Sequence, residues 1–379
     1  MKLFEVYSLY DINLTHAKGC YVYDACGQEY LDLYCGHGVI SVGHTHPYYV
    51  NKLTEQLNRI GFYSNAVING CQRDFAIKLG EITGYKDYAL FLSNSGAEAN
   101  ENAIKLASFS NKRKKVLSFN GAFHGRTAAA VMATDNPTIV APANQSSHFT
   151  KISLNDITSL KRELRTEEYC AVIMEGIQGV NGVRFPSAEF AKEVQDSCAE
   201  TGTVFIMIMD EIQSGCGRTG RYFAHQHWNI RPDIITMAKG IGNGFPLAAT
   251  AISPMFTPVI GQLGTTFGGN HLACVAGSAV IDIMLREHLM DNAKTTGEYL
   301  LEELGKLPYI SEVRGKGLMI GIDFTLPASK VRNALITKEH VLTGISGQNT
   351  LRLLPPLCLS MEDADLFIHK LAHCLSKIH

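Results

Sequence analysis

The feature that most restricts the fold is a series of short apolar runs, each closed by a polar or glycine-rich turn, at 88–92, 116–119, 170–174, 204–209, 233–238 and 247–252. Amphipathic stretches such as 97–107 and 188–200 lie between them. Strands covered by helices on both faces have no polar side to show, so this alternation predicts an α/β domain whose large, mostly parallel sheet is flanked by helices. Ligands of such sheets bind at the C-terminal ends of the strands. A helical pattern over 271–285 then leads to alternating segments at 310–313, 318–324 and 350–354 and a last helix over 361–378, which together read as a smaller α+β domain. The expected division is 46–284 for the large domain and 285–379 for the small one, with 1–45 an N-terminal segment contributing to the small domain.

The strand ends carry the chemistry. The 233–238 run hands over to Lys239-Gly-Ile-Gly-Asn-Gly-Phe-Pro246, and the 204–209 run ends at Asp210. Two such strands deliver an amine and a carboxylate to one sheet edge. Pyridoxal 5'-phosphate needs that pair: a lysine to hold its aldehyde as a Schiff base and an acid to keep its ring nitrogen protonated. At the end of the 88–92 run, Ser93-Asn-Ser95-Gly96 turns straight into a helix, whose unpaired first amides and dipole suit a phosphate. Taken alone, that turn is equally a plain helix cap. There is no P-loop, and Gly240-Ile-Gly-Asn-Gly244 lacks dinucleotide-binding spacing. Other ends supply Phe123, able to stack on a ring, Arg126, able to fork onto a carboxylate, and Glu175. Past Asp210 come Ile212, able to cover the other ring face, and Gln213, able to bond a phenolic oxygen. Each of these is equally consistent with core packing or a surface ion pair; their convergence on one edge is what argues for a site.

Composition excludes more than it selects. A formal charge of -2 gives no reason to expect nucleic acid or an anionic membrane as partner, which leaves small metabolites. The N-terminal residues lack the apolar core of a signal peptide, and no stretch approaches the ~20 apolar residues of a membrane span, so a cytoplasmic location is expected. Ten cysteines stand singly, without Cys-x-x-Cys, and no metal site is expected. His44 and His46 precede Pro47 and read as helix-start hydrogen bonding. Lys112-Arg-Lys-Lys115 reads as the cation-favoured end of a helix.

Asn94-Ser-Gly-Ala-Glu-Ala-Asn-Glu101, Phe123-His-Gly-Arg126, Asp210-Glu-Ile-Gln-Ser-Gly-Cys-Gly-Arg-Thr-Gly220, Ala238-Lys-Gly-Ile-Gly-Asn-Gly-Phe-Pro246 and Gly264-Thr-Thr-Phe-Gly-Gly-Asn270 resemble, in order, the signatures of class III pyridoxal-phosphate aminotransferases. The acetylornithine aminotransferase branch is the most similar, from Gly43-His-Thr-His-Pro47 to Thr350-Leu-Arg-Leu-Leu-Pro-Pro356. The resemblance implies fold type I, with Lys239 binding the cofactor and acting in catalysis, Asp210 pairing with the ring nitrogen and Gln213 bonding the ring oxygen. Phe123 and Ile212 would sandwich the ring. Ser95, Gly96 and Ala97 would hold the phosphate, joined by Thr266 from the other subunit of a homodimer, with Gly268, Gly269 and Asn270 shaping the turn there. Glu175 would stand behind the residues that touch the ring.

The implied reaction moves the δ-amine of an N2-acyl-L-ornithine, acetyl or succinyl, to 2-oxoglutarate, giving the N-acylglutamate semialdehyde and glutamate in arginine biosynthesis. Arg126 would hold the substrate's α-carboxylate and Arg352 that of glutamate. One departure stands out: relatives often carry a glutamate after the Gln-Gly of the Glu175 loop, covering that arginine, whereas this chain reads Gln178-Gly-Val180. Another acid must then neutralise Arg352, or the arginine stays exposed. The alternatives are a broader ω-aminotransferase acting on ornithine, 4-aminobutyrate or a polyamine, an aminomutase or decarboxylase on the same scaffold, and a binding protein that kept the fold.

Overall fold

The computed structural model describes residues 1–200 and 206–378. The chain opens with three antiparallel strands, β1 (Leu14–Lys18), β2 (Tyr21–Asp24) and β3 (Glu29–Asp32). Seven strands follow: β4 (Ala89–Ser93), β5 (Lys115–Phe119), β6 (Phe149–Ile152), β7 (Tyr169–Glu175), β8 (Ile206–Asp210), β9 (Ile234–Met237) and β10 (Ala248–Ile252). They form one sheet in the order β4-β10-β9-β8-β7-β5-β6. All its parallel pairings run from β9 to β6, while β10 is antiparallel to both neighbours. The sheet is thus largely parallel, as the apolar runs predict, but the 247–252 run is reversed.

Both faces are buried. Along β7, Ala171 and Ile173 join one apolar cluster with Ala103, Ile104 and Ala107 of helix Gly96–Asn111, while Val172 and Met174 join another with Phe190, Ala191 and Val194 of helix Ala188–Glu200. The period-2 pleat sends alternate side chains to opposite helical layers, which is why the run shows no polar alternation. β6 escaped the sequence pattern because Phe-Thr-Lys-Ile, at the sheet edge, is not a continuous apolar run. Of the expected 204–209 strand, 204 and 205 lie outside the described residues.

The C-terminal part adds β11 (Ile310–Lys316), β12 (Met319–Phe324), β13 (Val341–Leu342), β14 (Gly344–Ser346) and β15 (Thr350–Leu353). Four make a sheet ordered β11-β12-β15-β14, and β13 pairs in parallel with β3, tying the N-terminal strands to the C-terminal segment. Helices His271–Arg286 and Leu289–Leu304 bury Val280, Met284 and Leu300 in one core cluster with Ile320, Leu351 and Phe367.

Candidate functional site

The parallel register sets Asp210 at the end of β8 opposite Glu175 of β7 and Thr236 of β9. Asp210 is 3% exposed, so its carboxylate needs partners. It has three: Oδ2 accepts from Asn100 Nδ2 at 2.8 Å and from His124 Nδ1 at 2.8 Å, and Oδ1 accepts from the Ile212 amide at 3.0 Å. Asn100 is itself fixed, donating to the His124 carbonyl at 2.7 Å and accepting from Thr236 Oγ1 at 2.7 Å. Periodicity and strand-end chemistry assign no role to His124, Asn100 or Thr236. The available signal was a lone threonine inside the apolar β9 run, because a buried hydroxyl requires a partner.

Lys239 follows β9 at the start of a tight turn, with φ at +50°. A non-glycine residue there is strained, which points to a fixed side-chain direction. Its amine has no hydrogen bond or ion pair among the described residues. Burial pushes it below the ordinary lysine range; the Asp210 and Glu175 charges act upward and Arg352 acts downward.

A cavity of about 310 Å³ brings together Gly96, Ala97, Phe123, Arg126, Glu175, Asp210, Ile212, Gln213 and Lys239. At the start of helix Gly96–Asn111, Ser95 Oγ accepts from the Glu98 amide at 3.3 Å, so its hydroxyl is engaged as a cap. Ile212 lies close over this turn: a methyl group at Gly96 would come within 2.8 Å of Ile212 Cδ1. Gln213 donates from Nε2 to the His37 carbonyl at 3.2 Å, while its buried Oε1 has no partner. An unpartnered amine, a fixed anion, an aromatic plate, an orphaned amide oxygen and a helix start at one cavity fit pyridoxal phosphate.

Glu175 accepts from the amides of Phe123 at 2.9 Å and Gly179 at 3.3 Å. Burial pushes its carboxyl from the usual 4.5 up to about 7, with His124 pulling down and Asp210 pushing further up. The folded state therefore favours the protonated form. That preference contributes fully below the unfolded value and is lost as pH rises through the folded one. The melting temperature of the native protein minus that of Glu175→Gln should fall between about pH 4.5 and about pH 7. A pH-independent difference would contradict the shift.

Arg352, 6% exposed, corrects the expectation that it is either neutralised by an acid or left exposed. It donates from Nη1 to the Gly179 carbonyl at 3.0 Å, from Nη2 to the Tyr34 hydroxyl at 2.6 Å and from Nε to the Ile345 carbonyl at 3.3 Å. No carboxylate pairs with it among the described residues. Val180, 42% exposed, lines the Lys239 cavity and offers it no charge. Thr266 is exposed and away from the cavity of its own chain, on a turn pressed against β4: a methyl group at Gly268 would come within 2.5 Å of the Leu92 carbonyl oxygen. Asn270 ends that turn by capping helix His271–Arg286, accepting from the Ala273 amide at 2.9 Å. His46 caps Pro47–Leu57 in the same manner.

The chain matches the model of the family described as aminotransferase class-III over residues 5–375. It is 38% identical to the acetylornithine aminotransferase of Bacillus subtilis (strain 168), over 99% of this chain and 97% of that one. Among solved structures, the acetylornithine aminotransferase of Elizabethkingia anophelis aligns with a TM-score of 0.86 at 29% identity, over 99% of this chain and 96% of that one. An ornithine aminotransferase of Toxoplasma gondii, with partial occupancy of pyridoxal phosphate at its active site, aligns with a TM-score of 0.91 at 28% identity, over 98% of this chain and 90% of that one. A full-length match to the family, on a fold whose strand ends assemble the lysine and aspartate site, gives the conclusion: this chain belongs to the class-III aminotransferases and is a pyridoxal-phosphate-dependent aminotransferase.

Proposed function

We propose that the enzyme transfers the δ-amine of an N2-acyl-L-ornithine to 2-oxoglutarate, in arginine biosynthesis. The observation that carries the substrate reading is Arg126, which lines the Lys239 cavity, is exposed and has no ion pair among the described residues. A free guanidinium fork there suits the α-carboxylate that an acylated ornithine keeps after its α-amine is blocked. Bound pyridoxal phosphate supplies the electron sink that lets a proton leave the substrate carbon. Lys239 Nζ moves that proton, and its depressed basicity favours the neutral amine the step needs. Asp210 holds the proton on the ring nitrogen, oriented by Asn100 and His124. Gln213 would hydrogen-bond the ring oxygen through its side-chain amide, Phe123 and Ile212 would flank the ring, and the Ser95, Gly96 and Ala97 turn would take the phosphate. Arg352 takes the α-carboxylate of 2-oxoglutarate or glutamate.

Comparing kcat/KM for N-acetylornithine, N-succinylornithine, ornithine and 4-aminobutyrate, each with 2-oxoglutarate, tests this reading. An acylated ornithine should lead, and Arg126→Ala should lower its kcat/KM by about tenfold or more, since a hydrogen bond to a charged group is worth ~1.5–3 kcal/mol. A lead for 4-aminobutyrate or ornithine would select the broader ω-aminotransferase instead.

The enzyme is read as a cytoplasmic homodimer. Ile60, Phe62, Tyr63, Val67, Ile68, Val259, Ile260 and Phe267 are exposed, and the Phe62 and Phe267 rings meet at a tilt of 47°, centroids 5.4 Å apart, beside Thr266. Apolar side chains so concentrated favour a subunit interface. Thr266 would then complete the partner's phosphate site. Light scattering should give twice the chain mass, and an active monomer would refute the shared site. No helix of the described residues is long and apolar enough to cross a membrane. The β3 and β13 pairing supports assigning 1–45 with 285–379 to a small domain and 46–284 to a large one.

A further inference from the structure

Arg352 poses a physical problem. A buried guanidinium without a counter-ion is costly, and beside an aliphatic amine substrate the cost persists through the half-reaction that does not need it. The chain meets this with neutral acceptors, two carbonyls and the Tyr34 hydroxyl, and with the Tyr34 ring, whose centroid lies 5.5 Å from the guanidinium carbon. The place for the ring is built. A methyl group at Gly344 would come within 2.0 Å of Tyr34 Cε2, so glycine at 344 is what lets the ring lie there.

Of the three acceptors, only the hydroxyl sits on a movable side chain. Its backbone has a firm anchor on one side and a strained segment on the other. Asp32 Oδ1 accepts from the amides of Tyr34 at 3.0 Å and Cys35 at 2.8 Å. Beyond them, Cys35, Gly36, His37 and Gly38 all have positive φ, at 52°, 56°, 74° and 77°. Two of these are non-glycine residues, and such strain gathers where a segment has a second arrangement. The segment also reaches the cofactor side, since the His37 carbonyl accepts from Gln213 and the Tyr34 and His37 rings lie 4.9 Å apart.

We propose that Tyr34 is the residue that masks Arg352 between half-reactions: its hydroxyl fills the guanidinium while the amine donor is bound, and a dicarboxylate displaces it to reach Nη2. This rests on the reading that Arg352 receives the α-carboxylate. Tyr34 is thus a positioning residue that sets which of the two substrates the enzyme favours. A carboxylate can displace it because a charge-assisted bond is about twice as strong as a neutral one. The mask is reversible because the phenol carries no charge that would have to be buried elsewhere.

The test is the affinity of holoenzyme for glutarate, an unreactive dicarboxylate, by titration calorimetry, in the native protein, Tyr34→Phe and Arg352→Gln. Phenylalanine keeps the ring and leaves a buried Nη2 donor short of a partner until glutarate arrives. Glutarate should therefore bind Tyr34→Phe about tenfold more tightly, since such a bond to a charged group is worth on the order of a tenfold change or more, and Arg352→Gln should abolish binding. The KM for 2-oxoglutarate should fall with the Kd while kcat/KM for the amine donor does not rise; a merely structural role would worsen both substrates. Loss of binding in Arg352→Gln with unchanged or weaker binding in Tyr34→Phe would overturn the masking role and leave the Arg352 reading standing. Unchanged binding in Arg352→Gln would remove that reading, and the mask with it.

Discussion

Replacing Lys239 with alanine should lower kcat by about 10,000-fold or more while the protein stays folded and still takes up cofactor. Positioned acid-base transfer alone is worth about 100- to 10,000-fold, and this lysine also supplies the covalent anchor. Folding should suffer little, because the half-buried amine faces the cavity with no partner among the described residues, and alanine removes that uncompensated group. The strained φ of +50° is common to both residues and does not distinguish them. Single-turnover measurement of the amine-donor half-reaction, alongside a thermal melt, checks both halves. A rate within tenfold of native in a well-folded variant would remove Lys239 from the chemistry.

Asp210→Asn should lower kcat by about 100- to 1,000-fold, the usual consequence of removing one preorganised electrostatic partner of a developing charge. It should also cost about 1–3 kcal/mol of stability, by leaving buried donors unpaired. The second effect follows from the network. Oδ2 accepts from both Asn100 and His124, and an amide group in its place presents hydrogens to at least one donor. Asn100 cannot turn over to adapt, because Thr236 and the His124 carbonyl fix both ends of its amide. Denaturant unfolding and steady-state rates on the same preparation separate the two. A variant that loses activity but no stability would show that the network does not depend on the charge; one that keeps its activity would displace Asp210 from the ring nitrogen.

Much of this architecture is legible in the sequence. A sheet buried on both faces must use continuous apolar runs, so β7, β8 and β9 announced themselves, and the polar residues at their ends, Glu175, Asp210 and Lys239, fell on one edge by parallel pairing. The reversal of β10 was not legible, because an apolar run reads the same in either direction. Nor was β6, whose edge position tolerates Thr150 and Lys151.

The sequence by itself determined which chemical groups stand at the strand ends, since backbone periodicity and burial are local properties of the chain. Tertiary structure alone decided what each group meets. Arg352 takes two of its three partners from 173 and 318 residues away, at Gly179 and Tyr34, and Asp210 takes His124 from 86 and Asn100 from 110. Val180 announced that a glutamate was missing, but only the packing of the Tyr34 ring on Gly344 brought a hydroxyl to the guanidinium. Hydrogen bonds act over about 3 Å in space and carry no trace in sequence separation, so a buried charge shows in the sequence while the identity of what satisfies it does not.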